Sequence, residues 1–171
     1  VAFLGGLISY AIERERYFKE YVVAYTNASR ILREDFQAPD DLDGLFSGFD
    51  PERRVYDQTT WAYADEAPDE TLQHPRCVFQ VVRRHFARYT PEMVEEVCGI
   101  APQLFRRVAE TLCSSSGRHR TAAFCYAVGW TQHTTGVQII RAAGILQLLL
   151  GNVGRPGGGI LALRGHATIQ G

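Results

Sequence analysis

The chain has 171 residues, 18 basic and 19 acidic, for a formal net charge of −1 at pH 7. That balance removes the electrostatic case for a nucleic-acid or anionic-membrane partner, while the length suffices to bury one sizeable core. The four cysteines, Cys77, Cys98, Cys113 and Cys125, form no CxxC pair and no zinc-like or iron–sulfur-like run.

The chain opens at Val1 and closes at Gly171, directly after a glycine-rich segment, so the expectation is an internal fragment of a longer polypeptide. Ala2 to Arg14 has helical periodicity, with Phe3, Leu4, Leu7, Ile8 and Ile12 on one side, and Tyr17 to Tyr25 continues it. Asn27-Ala28-Ser29 breaks the pattern. From Glu34 to Glu70 the sequence is aspartate-rich and loop-like, with Pro39, Pro51 and Pro68. A loop of that length marks an excursion over a larger body or a functional loop.

Pro75 to Tyr89 is predicted helical, with Val78, Phe79, Val82 and Phe86 inward and Arg83, Arg84 and Arg88 solvated. Thr90-Pro91-Glu92 is a helix start: an N-cap hydroxyl, a proline at the first turn and an acid near the positive dipole end. That helix ends near Gly99. Ala101 to Leu112 is a further helix, with Leu104, Val108 and Leu112 spaced four apart, and Ser114 to Gly117 is a turn. Thr121 to Val128 is a short apolar run that predicts a buried parallel strand. A helix from Gly136 to Leu150 follows, and Gly151-Asn152 stops it. Its apolar core, Ala142 to Leu150, is too short to span a bilayer and is interrupted by Gln147. Three of the cysteines lie among apolar neighbours on these elements, where a buried free thiol is the common state.

The second half thus reads as α/β, with residues 1–117 a mainly helical scaffold around the 34–70 loop and residues 118–171 the site-bearing segment. The polar stretch Gly129 to Gly136 falls at the C-terminal end of the strand, where open α/β sheets bind ligands. Gly129 allows close backbone approach, Thr131, Gln132, Thr134 and Thr135 bring hydrogen-bonding groups, and the following helix offers free amides to an anion. The same residues also suit an ordinary strand–helix connection with capping threonines. The Gly154 to Gly159 run has neither a GK[ST] ending nor a GxGxxG pattern. Arg164, after Ile160-Leu161-Ala162-Leu163, needs an anionic partner, and its planar fork suits a carboxylate. A structural ion pair would satisfy it equally. His166 could donate, accept or relay a proton. No nucleophile–base signature, HExxH or metal-ligand cluster occurs, so any chemistry here belongs to a cofactor.

Gly129-Trp130-Thr131-Gln132-His133-Thr134-Thr135-Gly136-Val137-Gln138, Gln147-Leu148-Leu149-Leu150-Gly151-Asn152-Val153-Gly154, Gly157-Gly158-Gly159-Ile160 and Ala162-Leu163-Arg164-Gly165-His166 with Gln170-Gly171 together resemble the large catalytic subunits of formate dehydrogenases. These belong to the molybdopterin oxidoreductases of the dimethyl-sulfoxide-reductase type. Tyr21-Val22-Val23, Tyr25 to Ser29, Leu45 to Gly48, Thr71 to Phe79 and Arg88 to Val94 extend the resemblance toward the membrane-associated, nitrate-inducible-like branch.

The resemblance implies an internal fragment of a multi-domain enzyme, helix-rich with a parallel-sheet portion near the cofactor. It implies two molybdopterin guanine dinucleotides holding molybdenum or tungsten, with Val128, Gly129 and Gln132 beside a pterin and Arg164 holding the formate carboxylate. His166 matches a position near the same site that is glutamine in some relatives. Formate would leave as carbon dioxide, and a 4Fe–4S cluster would carry the electrons onward. The cluster's ligands and the metal-ligating cysteine or selenocysteine lie upstream in the family, so no metal ligand is assigned in this chain. An iron–sulfur electron-transfer subunit and a membrane cytochrome subunit are the implied partners. The branch implies a periplasmic location reached through a twin-arginine signal, with the cytoplasm the alternative. A sister oxidoreductase acting on nitrate or a sulfur oxyanion, or a non-catalytic cofactor-binding scaffold, are the competing readings. The Arg164-Gly165-His166 match argues against the first.

Overall fold

The structure, a computed structural model, describes residues 1–163 and resolves two compact units. The first joins Val1–Ala24 to the chain from Phe86 onward, and the second is Tyr25–His85. The molecule is mixed helix and strand with a small parallel sheet, which agrees with the α/β reading.

In the first unit, helix α1 (Ala2–Glu13) buries Leu4, Leu7, Ile8, Ala11 and Ile12. It packs against α4 (Pro91–Cys98), α5 (Pro102–Ser114) and α7 (Gly136–Leu149). Gly5 and Gly6 permit that approach. A Cβ on Gly5 would lie 2.7 Å from the Tyr89 ring, and one on Gly6 would lie 2.8 Å from a Val94 methyl and 3.0 Å from Phe105. The Phe3 and Phe105 rings meet edge to face at 5.9 Å. Helix α2 (Lys19–Tyr25) follows α1, and the Phe18 amide before it donates to the Leu149 carbonyl at 2.8 Å.

Helix α4 begins and ends as its sequence predicts. The Thr90 hydroxyl accepts from the Met93 amide at 3.2 Å, Pro91 occupies the first turn, and Gly99 closes the helix in the left-handed region at φ 68°. Helix α5 differs from its apparent stripe. Phe105, Ala109 and Cys113 are the buried residues, whereas Leu104 and Val108 stay 50% and 39% exposed. The buried row lies one position along from the four-spaced leucines and valine because Phe105 is the side chain that seats against α1. Leu112 and Val108 instead line an apolar groove of about 380 Å³ with Phe3, Leu7, Phe124 and Trp130.

Strand β3 (Ala123–Tyr126) pairs in parallel with β4 (Gly159–Ala162), Ala123 opposite Gly159 and Tyr126 opposite Ala162. The parallel orientation is as expected, but the strand is half-exposed rather than buried, with Ala123 and Cys125 on its open face. Among the described residues β4 is its sole ladder partner. The same alternation leaves Cys125 exposed, and Cys98 is exposed in the last turn of α4, so the expectation of three buried thiols fails. Cys77 and Cys113 are buried and free. Burial pushes the Cys113 thiol up to about 11 and raises Cys77, so both stay neutral thiols at pH 7.

The second unit contains the long acidic excursion. It forms two turns of 3-10 helix at Pro39–Leu42 and Gln58–Thr60 and a short hairpin, β1 (Phe49–Asp50) with β2 (Val55–Tyr56). The hairpin's Tyr56 lies 6.0 Å from Phe46 and 6.1 Å from Trp61, and Trp61 donates its indole N–H to the Ser47 carbonyl at 2.7 Å. Helix α3 (Val78–Phe86) starts three residues later than its periodicity suggests, because the preceding backbone pairs elsewhere. Ile31 bridges Cys77, and the Val78 and Phe79 amides donate to the Arg30 and Ala28 carbonyls. Asp69 organises the turn before α3. Its carboxylate accepts from the amides of Thr71, Gln73 and His74 at 2.9, 2.7 and 2.6 Å and from the Thr71 hydroxyl.

Those donors, the Thr71 hydroxyl first, hold the Asp69 carboxyl at about 2, below its ordinary 3.8. Because the folded value is the lower one, the Asp69 contribution to stability is full above about pH 4 and is lost as pH falls toward about 2. Thermal unfolding followed from pH 6 to pH 2 should therefore show a fall in Tm below about pH 4 that is shallower in Asp69→Asn, whose Tm at pH 6 is already lower. Parallel acid profiles for the two proteins would contradict this.

Candidate functional site

The parallel pairing makes the C-terminal ends of β3 and β4 neighbours. The Leu163 amide donates to the Tyr126 carbonyl at 2.7 Å, carrying the pairing one residue past β4. The chain leaving β3 runs directly into Val128, Gly129 and Gln132. The chain leaving β4 runs directly into Arg164. Arg164 and His166 themselves lie outside the described residues.

After β3 the expected loop is partly helical. Val128–Thr131 forms a single helical turn, α6, and Gln132 closes it with its amide on the Val128 carbonyl at 2.9 Å. Side-chain stacking explains the turn. Phe124 and Tyr126 share one face of β3, and Trp130 folds back onto them. It is stacked on Tyr126 at 5.3 Å and 13° and edge-on to Phe124 at 6.2 Å. Gly136, the first residue of α7, is buried where a Cβ would lie 2.8 Å from the Trp130 carbonyl, so glycine is needed to bring α7 this close to α6.

Gly129 is a different case. Its φ is not positive, and a Cβ there would meet nothing within 4 Å. Among the described residues no internal contact demands a glycine there. Val128 is 61% and Val137 60% exposed on the same rim. The side chains of Thr131, Gln132, His133, Thr134 and Thr135 are exposed and make no hydrogen bond among the described residues. Thr135 supplies no side-chain cap to α7, contrary to the capping alternative. The rim therefore presents unused donors and acceptors, an uncapped helix N-terminus and exposed apolar side chains.

The Gly154–Gly159 run is not an anion cradle. Its arginine, Arg155, donates to the Gly117 and Gly151 carbonyls at 2.7 and 3.0 Å and to the Arg118 carbonyl at 2.6 Å, with Phe18 beneath the guanidinium at 5.7 Å. It is a structural tie between two loops. The residues that composition did not single out as part of the site are Gln147 and Asn152, both fully buried. Gln147 donates to the Ala122 and Gly159 carbonyls at 2.8 and 2.6 Å, at the opposite ends of the same two strands. A glutamine inside the apolar run Ala142–Leu150 was the signal, since a buried amide must find partners.

Sequence comparison adds the family. The whole chain aligns with the nitrate-inducible formate dehydrogenase major subunit of Escherichia coli (strain K12) at 51% identity, and with the formate dehydrogenase-O major subunit of the same organism at 49%. It aligns over its full length with the formate dehydrogenase 2 subunit alpha (cytochrome c-553) of Nitratidesulfovibrio vulgaris at 43%. The chain belongs to the formate dehydrogenase major-subunit family. It spans 17% of the length of each of these relatives. No family model matches it. Among the described residues no group of three histidines, cysteines or acids is arranged to hold a metal ion, and no helix is long and apolar enough to cross a membrane.

The rim's chemistry fits a large, polar, ring-bearing cofactor of the kind the family resemblance implies. The backbone is open at Gly129, amide and hydroxyl side chains are free, and apolar side chains at Val128 and Val137 can cover an aromatic ring. Because a Cβ at position 129 meets nothing, Gly129→Ala should unfold within about 0.5 kcal/mol of the parent. In the full-length protein the same change should lower cofactor content; normal stability with normal cofactor content would leave the glycine unexplained.

Proposed function

We propose that this chain is part of the catalytic subunit of a formate dehydrogenase, an oxidoreductase that converts formate to carbon dioxide, a proton and two electrons. The observation that supports this most strongly is the alignment of the whole chain with formate dehydrogenase major subunits at 49% and 51% identity. The rim after β3 suits a polar ring system, and the guanidinium of Arg164, outside the described residues, has the fork that suits a small carboxylate.

In this reading the backbone of Val128 and Gly129 and the amide of Gln132 hold one pterin of a bis(molybdopterin guanine dinucleotide) group carrying molybdenum or tungsten. When bound, that group supplies the two-electron acceptor. Arg164 binds the formate carboxylate through its two-pronged guanidinium, orienting the C–H bond and offsetting the substrate's charge. His166, two residues on, would hold or move the proton that leaves with carbon dioxide. A 4Fe–4S cluster, for which no ligand is assigned in this chain, would carry the electrons onward to an iron–sulfur subunit and a membrane cytochrome subunit. The cytochrome c-553 in the name of one relative is in keeping with a haem-protein acceptor. The branch resemblance supports a periplasmic location, with the cytoplasm the alternative.

The test is formate-dependent reduction of an artificial dye by the full-length parent, measured with its molybdenum and tungsten content. Metal without formate turnover would move the chain to a sister oxidoreductase. Arg164→Ala should cut kcat/KM for formate by at least about a hundred-fold with the metal still bound, and near-normal kinetics would remove Arg164 from the site. Gln132→Ala should reduce pterin content, whereas full pterin occupancy would free Gln132 of that role.

A further inference from the structure

We propose that Gln147 is a positioning residue: one buried amide that locks β3 and β4 in register at their N-terminal ends and so sets how the C-terminal end of β3 presents the cofactor rim. The inference rests on the functional reading above.

The geometry is that of a clamp. The single Nε2 group donates one hydrogen to the Ala122 carbonyl, just before β3, and the other to the Gly159 carbonyl, the first residue of β4. Its Oε1 accepts from Asn152 Nδ2 at 2.7 Å. Asn152 in turn accepts the Ala122 amide on Oδ1 at 3.1 Å and donates to the Ser116 hydroxyl at 3.0 Å. Gly158, the residue before β4, lies so close that a Cβ would collide with the Asn152 carbonyl. Every polar atom of the two buried amides is therefore used, and both strand starts are tied to the end of α7. A parallel pair of four residues each has few ladder bonds of its own. A one-residue slip would shift β4 by about 3.3 Å and reverse which face each side chain occupies. A slip at Gly159 moves Leu163, whose amide carries the pairing past β4, by the same step.

The groups facing the Gln147 amide are neutral: two backbone carbonyls, the Asn152 side chain and, beyond it, the Ser116 hydroxyl. The charges tied to these loops include Arg155, whose guanidinium is held by the carbonyls of Gly117, Gly151 and Arg118, and Arg120, which donates to the Ser114 carbonyl. Gln147→Glu therefore turns the clamp into a titratable one. Protonated, the carboxyl still donates to one carbonyl and accepts from Asn152. Ionised, it faces two carbonyl oxygens with no hydrogen to give.

The experiment uses the full-length, cofactor-loaded enzyme and measures pterin content, kcat and formate KM from about pH 5 to about pH 8. For Gln147→Glu the ratio of its KM to the parent's should be on the order of ten-fold or more at the alkaline end and fall toward one at the acid end, with pterin content close to the parent's. Gln147→Met, which donates at no pH, should show a raised KM with a flat ratio. A ratio near one for Gln147→Met, or a pH-independent ratio for Gln147→Glu, overturns the proposal. Loss of folding and of pterin in both variants also overturns it, in favour of a purely structural role. A parent that loads pterin but does not oxidise formate removes the functional reading instead. The clamp is then decided by hydrogen exchange at the Leu163 amide, about ten-fold faster in Gln147→Met if Gln147 sets the pairing and unchanged if it does not.

Discussion

Parallel pairing of β3 with β4 is the constraint from which the rest of the site-bearing unit follows. Two parallel strands cannot be joined by a tight turn; the chain must travel back along their whole length before the second can begin. Here α7 makes that return journey, and its requirements shape its surroundings. It buries Ala142, Ala143, Leu146 and Leu149, and α1 lies against it, in a unit where Gly5 and Gly6 let α1 come close to Tyr89, Val94 and Phe105. Replacing a residue such as Leu146 by alanine would cost about 2–5 kcal/mol in such a core.

The crossover also separates two kinds of polar work. At the N-terminal ends of the strands, the Ala122 and Gly159 carbonyls accept from the buried Gln147 amide, and Arg155 ties nearby loops through backbone carbonyls. Leaving one such buried carbonyl unpaired would cost about 1–3 kcal/mol. At the C-terminal ends the reverse holds. The Gln132 and threonine side chains are exposed, and α7 has no side-chain cap, only the Gly136 amide being turned back onto the His133 carbonyl. One end of the pair is closed by internal hydrogen bonds and the other is exposed. Trp130 sits at the boundary, its ring stacked on Tyr126 so that α6 is held to the strand while the groups beyond it face outward.

The acidic excursion of the second unit solves a different problem. With few apolar residues it cannot make a core of its own, and it is ordered by local devices instead. Asp69 collects three amides and a hydroxyl, Asp57 accepts the Thr59 amide, and Trp61 closes over Ser47. Such turns are specified by short-range hydrogen bonds.

Local chemistry was therefore legible in the sequence. The Thr90 cap and Gly99 stop of α4, the span of α7 and the strand after Thr121 each depend on neighbours within a few residues, and each is where the pattern puts it. The family, too, was legible in the spacing of the Gly129, Gly151 and Leu163 motifs. Long-range contacts were not. Leu104, Val108 and Leu112 have the spacing of a buried face, yet Phe105, Ala109 and Cys113 are the ones covered, because burial is decided by what α1 brings against the helix. Ile160 to Leu163 showed only as an apolar flank to Arg164. It becomes β4 because its partner, β3, lies more than thirty residues away. Gln147 could be seen as an interruption in an apolar run, but not as the donor to two strands. Sequence alone determines the caps, the turns and the inventory of ligand-binding groups, since these are properties of adjacent residues. Tertiary structure decides which helix face is buried, which strands pair and which end of the pair stays open, since those depend on surfaces that meet only when the chain has folded.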